Sequence, residues 1–171
     1  MSNVGSSGRA SGGELEEKVD LTPETDAKLE QSAQLVANGG GQLKEALTML
    51  AALEKRCRTG NDTSNLVRVC EASLQYCKDA GDDEALLTTL QTLSTRRSQK
   101  QAAIKALVHK SIPYCVEGKF TPLPVSNDIE KKSRDKLVEA LREISDGKIF
   151  LEAERARLTR CMSMILVSSK N

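Results

Sequence analysis

Residues 43–83 read LKEALTMLAALEKRCRTGNDTSNLVRVCEASLQYCKDAGDD, and this stretch decides the fold. Apolar residues recur in it at spacings of three and four, which places them on one face of an α-helix. A break made of Thr, Gly, Asn and Asp at residues 59–62 divides the stretch into two helices. The predicted apolar stripes are Leu43, Ala46, Leu47, Leu50, Leu53 and Cys57 in the first helix and Leu66, Val69, Cys70, Ser73, Cys77 and Ala80 in the second.

Similar breaks recur along the chain, near residues 39, 60 and 81. A turn about every 20 residues gives a two-helix unit of about 40 residues, which is typical of tetratricopeptide and HEAT repeats. The sequence therefore predicts an all-α protein, a right-handed helical-repeat solenoid of about six to seven antiparallel helices. The strict tetratricopeptide signature is absent because the chain has no Trp, and a compact helical bundle is the structural alternative.

The N-terminal region is predicted from its composition and its capping residues. Residues 1–20 are rich in Gly and Ser and then acidic, so we expect a disordered tail. Residues 21–167 are expected to form the helical-repeat domain. Its first helix should be capped by Thr22, continue through Pro23 and end at the glycines of residues 38–41.

The second half of the chain contains further helix boundaries. A helix should begin near Ser98 and end or kink near Pro113, which cannot donate a backbone hydrogen bond. Residues 117–127 contain Gly and two Pro residues and are expected to form a loop. Ser126 or Asn127 can cap the helix that follows, and the break before the last helix is predicted at Asp146 and Gly147.

Charge and composition exclude several classes of protein. The chain has 25 Lys and Arg residues against 24 Asp and Glu residues, so its net charge does not attract nucleic acid or an anionic membrane. Two Tyr, two Phe and no Trp are too few aromatic residues for a base-stacking platform. No apolar run approaches the roughly 20 residues that span a bilayer, and the first residues lack the apolar core of a secretory signal. We therefore expect neither a nucleic-acid nor a membrane partner.

The sequence contains little that indicates catalysis. The single histidine, His109, has no second His and no Cys or carboxylate at metal-ligand spacing. Motifs for binding phosphates or dinucleotides and for zinc-dependent proteolysis are absent. The five cysteines form no CxxC pair, which favours buried free thiols in a reducing compartment. We expect no enzymatic activity, no cofactor, no metal and no small-molecule substrate.

A basic cluster, Thr-Arg-Arg-Ser-Gln-Lys at residues 95–100, lies where two predicted helices meet. Cations are favoured at the C-terminus of a helix, which is sufficient to explain the cluster. The functional alternative is a contact between Arg96, Arg97 and Lys100 and an acidic partner.

The last helix is predicted from residues 147–160, GKIFLEAERARLTR. Glu152 should face Arg155, and Glu154 should face Arg157, in pairs worth about 0.2–0.5 kcal/mol each. Two apolar flanks are expected, and the second would be exposed at the end of an array and favour self-association. The first flank is Phe150, Ala153 and Cys161, and the second is Leu151, Leu158, Met162 and Ile165.

Three blocks of the sequence resemble a known family. Residues 53–59, 93–102 and 147–160 are similar in order and spacing to blocks in the PCI family. Members of this family build the proteasome lid, the COP9 signalosome and an initiation factor complex. The block at residues 147–160 is the specific one and resembles a lid subunit.

The resemblance implies a helical-repeat arm from the N-terminal half of a proteasome lid subunit. Such arms contact neighbouring lid, base and core-particle subunits and carry no catalysis of their own. The implied function is a non-catalytic scaffold for ubiquitin-dependent protein degradation in the cytoplasm and nucleus. We place the contacts with other lid and base subunits on five cations: Arg96, Arg97, Lys100, Arg155 and Arg157.

The sequence also departs from the family pattern. Family members continue into further repeats and a winged-helix PCI module, which we expect to be absent from these 171 residues. Residues 165–171 and the Pro-containing loop at residues 118–127 differ from the family. Two alternatives stay open: a subunit of another PCI complex such as the COP9 signalosome, and a free tetratricopeptide-like adaptor that binds peptides.

Overall fold

The computed structural model describes residues 17–37, 41–119 and 121–170. This part of the chain contains seven α-helices, two single-turn 3₁₀ helices and one short hairpin. The α-helices are α1 (Thr22–Val36), α2 (Leu43–Thr59), α3 (Thr63–Asp79), α4 (Asp83–Ser94), α5 (Gln101–Ser111), α6 (Asp128–Ser145) and α7 (Glu152–Ser168). The 3₁₀ helices are Ile112–Tyr114 and Ile149–Leu151, and the strands are β1 (Val116–Glu117) and β2 (Thr121–Pro122).

The helices form a two-layer solenoid. In one layer α1 packs on α3 and α3 on α5, and His109 of α5 reaches Glu154 of α7 at 2.8 Å. In the other layer α4 packs on α6. Each helix also packs on the next in sequence. The prediction of an all-α helical-repeat solenoid is confirmed.

The core consists mainly of leucine, valine and cysteine side chains between the two layers. The stripe predicted for α2 is buried at every position except Leu47, which is half-buried. The stripe predicted for α3 is buried as far as Cys77, whereas Ala80 is exposed in the following turn. Each fully buried Leu or Val contributes about 1.5–3 kcal/mol relative to an exposed one. The fully buried members include Leu50, Leu66, Val69, Leu74, Leu90, Leu107, Val108, Val138 and Leu141.

The α2–α3 and α3–α4 turns have the same backbone design. Asn61 and Gly81 adopt positive φ angles of 55° and 67°, a conformation that glycine and asparagine tolerate best. The next residue, Asp62 or Asp82, caps the following helix through its side chain. The acceptor distances are 3.3 Å from the Asn65 amide and 2.9 Å from the Ala85 amide. The predicted breaks at residues 59–62 and near residue 81 are confirmed.

Three boundaries differ from the predictions. Thr22 is the first residue of α1 and does not cap it; Asp20 Oδ1 instead accepts a hydrogen bond from the Thr22 amide at 3.0 Å. The helix expected from Ser98 begins at Gln101, because Ser98 has a φ of 60°, outside the helical region. The loop expected at residues 117–127 includes β2, which pairs with β1 in an antiparallel hairpin.

The N-terminal segment is described only from residue 17, so most of the predicted tail lies outside the described residues. Within residues 17–21 the Val19 amide donates to the Gly60 carbonyl at 2.9 Å. The Leu21 amide donates to Asp62 Oδ2 at 2.8 Å, and the Leu21 side chain is buried. The entry to α1 is therefore fixed on the α2–α3 turn. The predicted end of α1 at residues 38–41 lies largely outside the described residues, and α1 itself ends at Val36.

The last helix buries one apolar stripe instead of two flanks. Leu151, Leu158 and Ile165 are 0%, 1% and 5% exposed, so the expectation that this flank is exposed is wrong. Ala153, expected to pack, is exposed. Cys161 joins the buried stripe, because α7 packs along α6 with a single face. The exposed large apolar residues of α7 are Met164, Leu166 and Val167.

No helix in the described part of the chain is both long and apolar enough to cross a lipid bilayer.

Candidate interaction surface

Three of the predicted contact residues lie in the α4–α5 connection, on the edge of the solenoid that also carries the C-terminal end of α2. Arg96, Arg97 and Lys100 lie beside Arg58, from the last turn of α2. Arg58, Arg96 and Arg97 lie at the C-terminal ends of α2 and α4, where the negative ends of the helix dipoles favour cations, whereas Lys100 directly precedes α5. We call these four residues the basic edge.

A buried carboxylate organises the basic edge. Glu54 of α2 is 1% exposed, and its Oε1 accepts hydrogen bonds from Arg58 Nε at 2.9 Å and Gln99 Nε2 at 3.1 Å. Arg96 Nε forms a longer ion pair with Glu54 Oε2, at 3.9 Å. A buried charge is tolerated only when it is paired and hydrogen-bonded. Arg96 and Arg58 therefore balance the charge of Glu54, and Arg96 has a structural role.

Backbone and side-chain hydrogen bonds hold the rest of the connection. Gln99 Nε2 also donates to the Leu93 carbonyl at 2.7 Å, and Gln99 Oε1 accepts from the Lys100 amide at 3.1 Å. Lys100 Nζ donates to Asn61 Oδ1 at 2.7 Å, which joins the connection to the α2–α3 turn. Arg58 Nη1 donates to the Arg97 carbonyl at 3.0 Å.

Arg97 is the member of the basic edge that faces solvent. Its backbone carbonyl is fixed by Arg58, and its side chain is exposed. The described part of the chain gives the Arg97 side chain no ion pair, whereas Arg96 and Lys100 both bind other residues of the chain. Arg97 lines an open groove of 690 Å³ together with Glu17, Val19, Ser98 and other residues.

The other two predicted contact residues, Arg155 and Arg157, are exposed on α7. Arg155 Nη2 pairs with Asp146 Oδ1 at 3.0 Å, across the α6–α7 turn, instead of with the predicted Glu152. Glu154 contacts His109 Nε2 at 2.8 Å, a partner from α5 that the sequence did not indicate. Burial alone would raise the pKa of Glu154, but the hydrogen bond from His109 offsets it and the pKa is lowered.

The sequence reasoning missed Glu54. Its position on the buried stripe, three residues before Cys57 and four before Arg58, was a usable signal. A carboxylate on the inner face of a helix requires a cation, and Arg58 at spacing four is on the same face. The contributions of Arg96 and Gln99 come from more than 40 residues further along the chain, and no local pattern indicates them.

The cysteines and carboxylates are the remaining candidates for a chemical site in the described ranges. All five cysteines are free and buried, as predicted. Burial raises the pKa of Cys70 and of Cys115 to about 12, so neither thiol is a nucleophile near neutral pH. Within residues 17–37, 41–119 and 121–170, no group of three or more His, Cys, Asp and Glu side chains could hold a metal ion.

Comparison with known proteins identifies relatives of the chain. The model of the family PSMD12/CSN4, N-terminal, matches residues 45–171. The 26S proteasome non-ATPase regulatory subunit 12 of Dictyostelium discoideum is 36% identical over 146 residues, covering 85% of this chain and 30% of the relative. The homolog A of that subunit in Arabidopsis thaliana is 32% identical over 73% of this chain and 26% of its own length.

A more distant relative is the 26S proteasome regulatory subunit RPN5 of Saccharomyces cerevisiae, 27% identical over 67% of this chain and 24% of its own length. The chain thus spans less than a third of the length of these curated relatives. The family match covers most of the chain, including α2 to α7 almost entirely, and agrees with the resemblance carried by residues 53–59, 93–102 and 147–160. The chain belongs to the PSMD12/CSN4 N-terminal family.

Proposed function

We propose that this chain is a non-catalytic structural arm of the 26S proteasome regulatory particle, in its lid. The observation that carries the proposal is the family match over residues 45–171, together with relatives named as proteasome regulatory subunits. Its partners are other lid and base subunits, its place is the cytoplasm and nucleus, and it supports ubiquitin-dependent degradation as a scaffold. It acts on no small molecule and carries out no reaction.

A solenoid of this kind acts through its shape and its surface. The two layers hold the helix ends in fixed positions, and a rigid surface loses little conformational entropy on binding. The basic edge supplies a charged contact, since the network around Glu54 fixes the α4–α5 connection while Arg97 faces solvent. Arginine is enriched at protein interfaces, where its fork of donors matches carboxylates. Arg155 and Arg157 add a second contact on α7.

The experiment compares tagged versions of the 171-residue chain purified from its own cells, with mass spectrometry of the recovered proteins. The unmodified chain should recover lid and base subunits. Arg97→Glu should reduce that recovery severalfold, because the substitution reverses the charge at the contact. Lys132→Glu is the matched control, since Lys132 is exposed on α6 and makes the same charge change away from the basic edge. Equal recovery from both variants would refute the role of Arg97.

A second candidate function follows from the family's own description, which joins PSMD12 with CSN4. The resemblance to the PCI family also includes the COP9 signalosome, so an arm of the signalosome is the alternative. The same purification separates the two candidates. Signalosome subunits without lid subunits would replace the first proposal by the second, and recovery of neither complex would contradict both.

A further inference from the structure

Ser98 lies in the α4–α5 connection in a backbone conformation that serine rarely adopts. It is the third residue of a turn in which the Gln99 amide donates to the Arg96 carbonyl at 3.1 Å, and its φ is 60°. A positive φ at this position of a turn favours Gly or Asn. The Ser98 side chain is exposed, and no hydrogen bond in the described part of the chain uses its hydroxyl. The hydroxyl is therefore open to solvent and has no structural role in the turn.

Cations surround Ser98 both in the sequence and in space. Two arginines precede it directly, and a lysine follows it by two residues. Ser98 also lines the 690 Å³ groove beside the basic edge, where the described lining residues include three cations, Arg58, Arg97 and Lys100, and one carboxylate, Glu17. The excess of positive charge favours a group that carries more than one negative charge.

Other hydroxyls beside cations differ from Ser98 in their surroundings. Ser133 follows two lysines and precedes an arginine, but it is half-buried within α6. Thr159 has an arginine on each side within two residues and lies within α7. A backbone that is hydrogen-bonded within a helix is not free to extend along the cleft of an enzyme. Residues 95–100 belong to no helix or strand, and within them the Thr95 hydroxyl donates to a carbonyl of α4 at 2.7 Å.

We propose that Ser98 is a phosphorylation site for a serine kinase that selects basic substrates, and that its phosphate pairs with Arg97 and neutralises the basic edge. ATP is the co-substrate. Ser98 Oγ forms a bond to the γ-phosphorus, the bond from that phosphorus to the oxygen that bridges it to the β-phosphorus breaks, and ADP leaves with that oxygen. The hydroxyl proton passes to the catalytic aspartate of the kinase. Phosphoserine carries about −1.5 to −2 charges at neutral pH, which offsets most of the excess positive charge in the groove.

The regulatory effect rests on the proposed function, in which the basic edge contacts an acidic surface of a lid or base subunit. A phosphate on Ser98 occupies Arg97 from within the chain and repels that acidic surface. The unmodified chain then enters the assembly, and the phosphorylated chain remains outside it. The kinase acts before assembly, while the basic edge is accessible.

The first test treats the purified 171-residue chain with ATP and the catalytic domain of protein kinase C, and follows each site by mass spectrometry. Peptides of residues 92–104 and 127–139 give the preference of the kinase for the two serine sequences alone. The ratio of the Ser98 rate to the Ser133 rate should be about tenfold higher in the folded chain than in the peptides, because Ser133 is held in a helix. An equal ratio, or no phosphate on Ser98, would overturn the assignment.

Phosphorus-31 NMR of the phosphorylated chain tests the pairing with Arg97. The second pKa of phosphoserine is about 6 without neighbouring charges, and a nearby guanidinium lowers this pKa because it favours the dianion. The measured pKa should lie below that value in the natural chain and rise in Arg97→Gln. Lys132→Gln, which removes an exposed cation from α6, is the control and should leave the pKa unchanged. A pKa that Arg97→Gln does not move would contradict the pairing.

Purification from cells tests the effect on assembly. Ser98→Asp and Ser98→Asn have similar shapes and both tolerate a positive φ, so the comparison isolates the charge. Ser98→Asp should recover severalfold less of the lid and base subunits than Ser98→Asn. Equal recovery would overturn the regulatory effect and leave the proposed function intact. If the natural chain recovers no such subunit, the proposed function and the regulatory effect both fail, whereas the phosphorylation site is decided by the first two tests on the isolated chain.

Discussion

The α2–α3 and α3–α4 turns are two copies of one local design that differ in what they support. In each, the aspartate amide donates to the carbonyl of a cysteine five residues earlier, from Asp62 to Cys57 at 3.0 Å and from Asp82 to Cys77 at 3.1 Å. In each, a residue with positive φ precedes the aspartate, and the aspartate caps the next helix. The same backbone conformation and hydrogen bonds therefore occur twice, 20 residues apart.

The difference lies in the surroundings of the two aspartates. Asp82 is exposed and serves its own helix. Asp62 is 3% exposed, and in addition to its cap it accepts hydrogen bonds from the Leu21 amide at 2.8 Å and from Asn65 Nδ2 at 2.7 Å. One carboxylate thus anchors the beginnings of both α1 and α3. The same local geometry therefore supports one helix at Asp82 and two helices at Asp62.

The largest effects are expected when the carboxylates of Asp62 and Asp82 are removed one at a time. Asp62→Ala should lower the free energy of unfolding by about 3 kcal/mol, because it removes a cap and leaves buried donors unpaired. Asp82→Ala should cost only about 1 kcal/mol, the usual effect of losing an exposed cap. Urea denaturation followed by circular dichroism measures both values. Equal losses would show that the contact of Asp62 with Leu21 contributes nothing.

The pH dependence of stability also distinguishes Asp62 from Asp82. Burial would raise the pKa of Asp62, but hydrogen bonds from the Asn65 side chain and the Leu21 amide offset it, and the pKa lies below its ordinary value of 3.8. A carboxyl whose folded pKa is depressed contributes stability that is present above its unfolded pKa and is lost as pH falls through the folded pKa.

The expected result is a stability gap between the natural chain and Asp62→Asn that is constant near neutral pH and narrows below about pH 4. Other carboxylates are common to both proteins and cancel in the difference. Denaturant titrations at a series of pH values measure the gap, and Asp82→Asn controls for the loss of one negative charge. A gap that widens in acid would contradict the assignment.

The positive-φ positions of the two turns give a further comparison, and the smallest effect is expected at Asn61. Gly81→Ala should cost about 1–2 kcal/mol, because no atom lies within 4 Å of the added Cβ and the cost is that of the backbone conformation. Asn61→Gly should change stability by less than about 0.5 kcal/mol, since glycine relieves the backbone while the exchange removes the contact with Lys100. Thermal denaturation of the two variants side by side tests this. A large loss in Asn61→Gly would mean that Lys100 contributes more than a solvent-accessible hydrogen bond does.

The two turns also show what a sequence can predict. The breaks at residues 59–62 and near residue 81 were recognisable because Gly, Asn and Asp act on neighbours a few residues away, whereas the positive φ of Asn61, next to a Gly60 with a φ of −85°, was not predicted. The apolar stripes of α2 and α3 were recognisable for the same reason, since helical periodicity is local. Ser98 was misjudged because a serine that suits a cap was found with a positive φ, which its residue type does not indicate.

The candidate contact residues were predicted by type but not by role. Arg96 and Lys100 look alike in the sequence, yet one faces the buried Glu54 and the other binds Asn61. Their partners lie about 40 residues away in the chain, and only the packing of α2 against the α4–α5 connection brings them together. The pairing of His109 with Glu154 depends in the same way on the packing of α5 and α7.

The bond between Leu21 and Asp62 has a consequence for the order of events at the ribosome. The two residues are 41 positions apart, so at about 5–20 residues per second Asp62 is synthesised some 2–8 s after Leu21. During that interval α1 exists without the carboxylate that anchors its entry. The first helix of the chain therefore lacks its anchor until α2 and the turn after it have been synthesised, and a chain whose synthesis pauses within α2 carries an unanchored α1 throughout the pause.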